Sequence, residues 1–166
     1  MNKNMATFIQ DNLEEILNKW QEMMKEDSEE RFFQVMSQEV IDKTSREFAE
    51  LMISNLFEGE NNYENRLIEF TNKVVRFGWS ISFVMKAINH FSHIVYEMLE
   101  KNETITDANM KEYVMVFTNW ITPMRDGILE TYAKTWERTV QLQKIALQEL
   151  SASLIPVFDK ISVMPL

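Results

Sequence analysis

The only two histidines, His90 and His93, are the natural place to look for chemistry, because an imidazole can ligate a metal, move a proton or sense pH. Both fall on one helical stretch among Lys86, Asn89 and Glu97. At 100° per residue they lie well away from the apolar stripe centred on Ile88 and Val95, so a polar face is expected for them. His93 with Glu97 four residues on then makes a surface pair. A carboxylate-bridged di-iron bundle would need Glu-x-x-His on two helices, yet Ala87 stands three before His90 and His90 three before His93. Gly-rich phosphate loops, HExxH and nucleophile elbows are absent from the sequence. The acidic residues Glu29, Glu30, Glu58 and Glu60 sit at expected helix starts and loops, where a solvated surface accounts for them. No catalytic, cofactor-binding or metal-ligating residue is assigned, and the chain is read as a non-enzyme.

Composition narrows the partners. The 166 residues are 45% hydrophobic, enough for one ordinary core, and carry a formal charge of -9. That charge disfavours nucleic acid, whose binding releases counterions from concentrated Lys/Arg patches, and anionic membrane surfaces alike. No cysteine is present, and no apolar run approaches the roughly 20 residues that span a bilayer, so the expected location is cytoplasmic. Three glycines and three prolines are too few for the tight turns of an all-β fold, so long helices are expected.

Apolar spacing supplies the helices. Ile9, Leu13, Ile16, Trp20 and Met23 alternate at gaps of four and three, with Thr7 and Gln10 as a capping box. A second helix is expected from Ser28, turning Phe33, Met36, Val40, Phe48, Leu51 and Met52 inward, followed by a loop over Glu58 to Asn62. Tyr63, Leu67, Phe70, Val74 and Phe77 mark a third, ending at Gly78. Ser80 caps a fourth, with Ile81, Val84, Ile88, Phe91, Val95 and Met98 as its stripe, ending near Lys101. After a polar link from Asn102 to Asp107, Met110, Tyr113, Val114, Phe117 and Ile121 suggest a fifth. Trp20, Trp79 and Trp120 are read as core fillers and Twelve methionines as pliable packing.

The last segment is the most informative. A proline inside a helix costs about 3 kcal/mol but fits the first helical position, so a new helix is expected to start at Pro123, capped by Thr122, and to run to about Ala152. Within it Leu129, Ala133, Trp136, Val140, Gln143, Leu147 and Leu150 repeat at gaps of four and three over three heptads, the pattern of a two-stranded coiled-coil seam. These seven are the expected dimer and linker-helix residues, Gln143 being the polar intrusion that helps fix register. The plainer alternative is a helix packed along its own domain. After Ser151, Pro156 and the run Val157, Phe158, Ile161, Val163 and Met164 indicate a strand onset, and a further domain is expected to follow Leu166.

The run WERTVQLQKIALQELSASLIPVFDKISVMPL, Trp136 to Leu166, closely resembles the junction between the sensory domain and the STAS domain of RsbR-type stressosome co-antagonists. The RFGWSISFV stretch near Gly78 and the all-helical organisation ahead of the junction match more loosely. One departure is Ser153, where proline is expected. The resemblance implies an all-α, non-haem globin-like sensory domain over 1–122, a long linker and dimerisation helix over 123–152, and the first residues of a STAS-type strand over 153–166. It further implies a homodimer that, through the missing STAS domain, joins a stressosome STAS scaffold protein and sequesters a serine/threonine kinase until stress leads to phosphorylation. The family's phosphorylated threonines would lie beyond Leu166. Two alternatives stay open: a haem- or small-ligand-binding globin-type sensor, against which the outward histidines argue, and a purely structural dimerisation module.

Overall fold

A computed structural model of the chain describes residues 1–27, 35–57 and 62–161. The described residues are all-α: α1 (Asn2–Asp11), α2 (Leu13–Asp27), α3 (Gln38–Ser54), α4 (Tyr63–Arg76), α5 (Ile81–Lys101) and α6 (Met110–Ile161), with no strand among them. They divide into two compact units, Met1–Thr131 and Tyr132–Leu166.

The single helix expected over Ile9 to Met23 is two. Asn12 leaves helical geometry (φ -115°, ψ 19°), and its side-chain amide donates to the Phe8 carbonyl at 2.9 Å, satisfying an acceptor at the end of α1. Thr7 caps nothing: it lies inside α1 and its hydroxyl donates back to Lys3 O at 3.0 Å. Ile9, Ile16 and Trp20 are buried as their spacing requires, while Leu13 and Met23 are half-buried.

The second expected helix is capped not at Ser28 but at Ser37, whose hydroxyl accepts from Val40 N at 3.3 Å. Ser28, Glu29, Glu30 and Phe33 lie outside the described residues, as do Glu58, Gly59 and Glu60. In the first turn of α3 it is Ile41 that faces the core; Val40, about 100° round, is exposed, and Met36 is half-buried. Phe48, Leu51 and Met52 are buried as expected.

α4 and α5 follow the sequence reading closely. α4 closes in a Schellman motif, Gly78 N–H to Val75 O and Trp79 N–H to Val74 O, both 3.0 Å, with Gly78 at φ 84° where a side chain would be strained. Ser80 caps α5 by accepting from Phe83 N at 3.1 Å. α5 ends in a second Schellman motif, Glu103 N–H to Glu100 O (3.1 Å) and Thr104 N–H to Leu99 O (3.0 Å), but here the left-handed position is held by Glu103 at φ 64°.

No new helix starts at Pro123. α6 runs through it, because Trp120, Met124 and Ile128 on either side are fully buried and that packing outweighs a proline cost of about 3 kcal/mol. The side-chain amide of Asn55 donates to the Trp120 carbonyl in the turn that the proline weakens. The expected strand is also replaced by helix: α6 continues through Pro156 to Ile161, since no strand among the described residues offers a ladder and intrahelical bonds are then the only backbone pairing to hand. Val163 and Met164 lie outside the described residues.

The core of the first unit is aromatic. Trp20 stacks on Phe48 (centroids 5.1 Å), and Phe48 meets Phe91 edge-on (5.6 Å) and Phe70 tilted (5.9 Å). Phe91 in turn meets Trp120 at 6.3 Å. Two of the buried indoles donate across the core: Trp20 Nε1 to Ala87 O and Trp120 Nε1 to Met52 O, each 2.8 Å. Gly127 allows a close approach to α4, for a Cβ there would run into Leu67 Cδ2.

Two outcomes are expected in chemical denaturation. Phe48→Ala, which removes the ring shared by α2, α4 and α5 contacts, costs about 3–5 kcal/mol, whereas Val40→Ala stays within about 0.5 kcal/mol. The second concerns acid. Side-chain hydrogen bonds from Gln38 and then Gln21 hold the Asp42 carboxyl below its ordinary value of 3.8. A carboxyl with a depressed folded pKa adds stability above its unfolded pKa and loses it as pH falls through the folded value. Wild type should therefore lose stability more steeply than Asp42→Asn below about pH 4.

Candidate interaction surface on the last helix

In the first unit, α6 turns Tyr113, Trp120, Met124, Ile128 and Thr131 into the core at helical spacing, with Phe117 and Ile121 half-buried. Met110, Val114 and Leu129 are exposed, Leu129 by 45%, because the 100° step from Ile128 carries it out of the buried stripe. In the second unit the expected seam residues stand in solvent. Trp136 is 68% exposed, Leu147 63% and Leu150 56%; Ala133 and Gln143 are also exposed and Val140 is half-buried. A lone exposed leucine is ordinary, but a tryptophan and two leucines at seam spacing form an apolar strip of the kind that marks a protein contact.

Sequence spacing missed Leu142 and Ile145, which are exposed beside the seam. They occupy positions a two-stranded coiled coil leaves outside, and an apolar residue at such positions was the available signal. The apolar surface of this unit is thus wider than one seam.

His93 lies on the exposed face that the helical wheel predicts, whereas His90 is drawn further in than expected. His93 is exposed, its Nε2 3.1 Å from Glu97 Oε1, and His90 is half-buried. Between α2, α3, α5 and α6 the interior is filled by Trp20, Phe48, Phe91 and Trp120. Among the described residues no group of three or more His, Asp or Glu is arranged to hold a metal ion, and no helix is long and apolar enough to cross a membrane.

A groove of about 520 Å³ along α3 and α4 is lined by charges that answer one another. Lys73 Nζ is 2.7 Å from Glu47 Oε2, Arg66 is 3.8 Å from Glu50, and Arg66 Nη1 donates to Ser54 Oγ at 2.8 Å. Such pairs hold the two helices in register and contribute little individually. The His93–Glu97 pair is of the same sort: His93→Ala should change unfolding free energy by less than about 0.5 kcal/mol, measured by urea denaturation at neutral pH.

Comparison with known proteins gives these surfaces a context. Residues 9–137 match the family model described as Rsbr N terminal. Over 165 residues the chain is 34% identical to the RsbT co-antagonist protein RsbRA of Bacillus subtilis (strain 168), covering 99% of this chain and 59% of that protein. The chain therefore spans about three-fifths of the length of the relative it matches. No solved structure matches it. With an all-α fold in place and the family model covering most of its length, the chain belongs to the Rsbr N-terminal family.

Proposed function

We propose that the chain is the non-enzymatic input half of a stress-signalling regulator. It pairs with a second copy through Leu129, Ala133, Trp136, Val140, Gln143, Leu147 and Leu150, and relays a change in helix packing to a STAS domain that follows. The observation that carries this reading is the exposure of Trp136, Leu147 and Leu150 at heptad spacing in a member of a signalling family. In a parallel or antiparallel pair these side chains would leave water together, and the tryptophan would supply a disproportionate share of the affinity. A signal acts only through contacts that differ between two states, so a shift in register or crossing of the paired helices is the concrete relay.

By analogy with the co-antagonist from Bacillus subtilis, the whole protein opposes an RsbT-like protein, a serine/threonine kinase, from within a cytoplasmic stressosome built with a STAS scaffold protein. The globin-like character and the domain limits 1–122, 123–152 and 153–166 belong to the same proposal. A long helix that leaves the core stripe after Thr131 supports the role of the second unit as linker.

The test uses the protein joined to its C-terminal domain and a STAS scaffold partner, followed by sedimentation velocity and by kinase sequestration. A very large species containing both proteins is expected. Trp136→Ala combined with Leu147→Ala should weaken pairing at least about tenfold while leaving the helical content unchanged. Unaltered pairing and unaltered kinase release in that variant would sink the relay.

A further inference from the structure

Between α5 and α6 the first unit carries an open groove of about 360 Å³ whose lining contains no carboxylate, lysine or arginine. Its α5 wall presents Asn89, His93 and Tyr96, and its α6 wall Val114 and Phe117, with Met110 one turn before Val114. Each set falls at i, i+4, i+7 along its helix, so each is one continuous face. Val114 is 49% exposed and Met110 37%, apolar though they are. The groove along α3 and α4 is the opposite case, lined by Glu47, Glu50 and Glu69 against Arg66, Lys73 and Arg76.

We infer that the α5–α6 face meets the same face of a second copy of the chain, an inference that rests on the pairing proposed above and extends it into the first unit. Charge points to the occupant. Two chains of formal charge -9 repel, and they approach at least cost where neither presents a carboxylate. Size points the same way: a standard interface draws about 20–30 residues from each side, and the seam supplies seven, all from α6. The seam moreover begins inside the first unit, at the exposed Leu129. Tyr96, Phe117 and Met110 are also the residue types in which the centres of protein interfaces are enriched.

The face is ready to be covered. The Ser92 hydroxyl donates to Asn89 O at 3.0 Å and the Thr118 hydroxyl to Val114 O at 2.9 Å, so burial strands neither donor. The Tyr96 ring meets Phe117 edge-on at 5.4 Å, and Phe117 meets the buried Trp120 at the same distance, which anchors the floor of the groove to the core. In a contact between identical faces every residue is used twice, so one substitution acts at two places.

The experiment is a peroxide footprint of the chain at rising concentration, since a thioether oxidises according to its exposure. Pairing through the seam alone leaves Met110 out of reach, 19 residues before Leu129 and about 28 Å away along α6. Met110 should oxidise several-fold more slowly at high concentration than at low, while the buried Met24 stays slow throughout. In Val114→Glu, which sets two carboxylates against each other, that concentration dependence should vanish. Self-association of this variant in sedimentation equilibrium should weaken at least about tenfold, with helical content unchanged. Dimers in which Met110 reacts at one rate at every concentration overturn this face and leave the seam standing. Protection of Met110 that persists in Trp136→Ala with Leu147→Ala and is lost in Val114→Glu supports this face and overturns the seam. A chain that is monomeric at every concentration overturns both.

Discussion

The first unit depends on a clasp between the end of α3 and the turn of α6 that precedes Pro123. Met52 lies among the last four residues of α3, whose carbonyls have no partner within the helix, and the indole of Trp120 donates to it. In the other direction the Asn55 amide donates to the Trp120 carbonyl. The indole thereby satisfies a carbonyl in the last turn of α3, and the Asn55 amide finds its acceptor on α6. The bonds join residues 65 and 68 apart in the chain, and they form only when α3 and α6 are already side by side.

From that clasp the aromatic contacts run inward through Phe91 and Phe48 to Trp20, whose own indole reaches Ala87 O in α5. Large rings at van der Waals contact with their polar atoms paired leave little freedom for the helices to slide. The charged groove along α3 and α4, the small pocket behind α1 and the outer face of α6 all lie at the periphery of this core.

The same helix is core and surface in turn. Up to Thr131, α6 is bound to the first unit by one stripe; in the second unit its apolar residues have solvent for company. Such a helix is stiff at one end because packing makes it so, and at the other is ready to exchange water for another apolar surface.

Much of this was legible in the sequence. The gaps of four and three from Tyr63 to Phe77 and from Ile81 to Met98 locate α4 and α5, Gly78 and Ser80 locate their ends, and the wheel puts His93 outside, because helix period and capping are local properties. The apolar spacing from Leu129 to Leu150 is visible in the sequence for the same reason, and the pairing read from it belongs to the proposal. What required the tertiary structure was every choice in which distant packing opposes a local preference. Pro123 and Pro156 read as boundaries, yet α6 passes through both: at Pro123 burial and the Asn55 bond outweigh the lost hydrogen bond, and around Pro156 no strand among the described residues competes. Asn12 breaks a continuous apolar stripe by bonding to its own chain, Val40 is apolar but lies in a first turn rotated away from the core, and the gap beside Thr104 exists only because α1 and α6 meet there. Periodicity states which face of a helix is apolar; only the arrangement of helices decides where that face finds a partner.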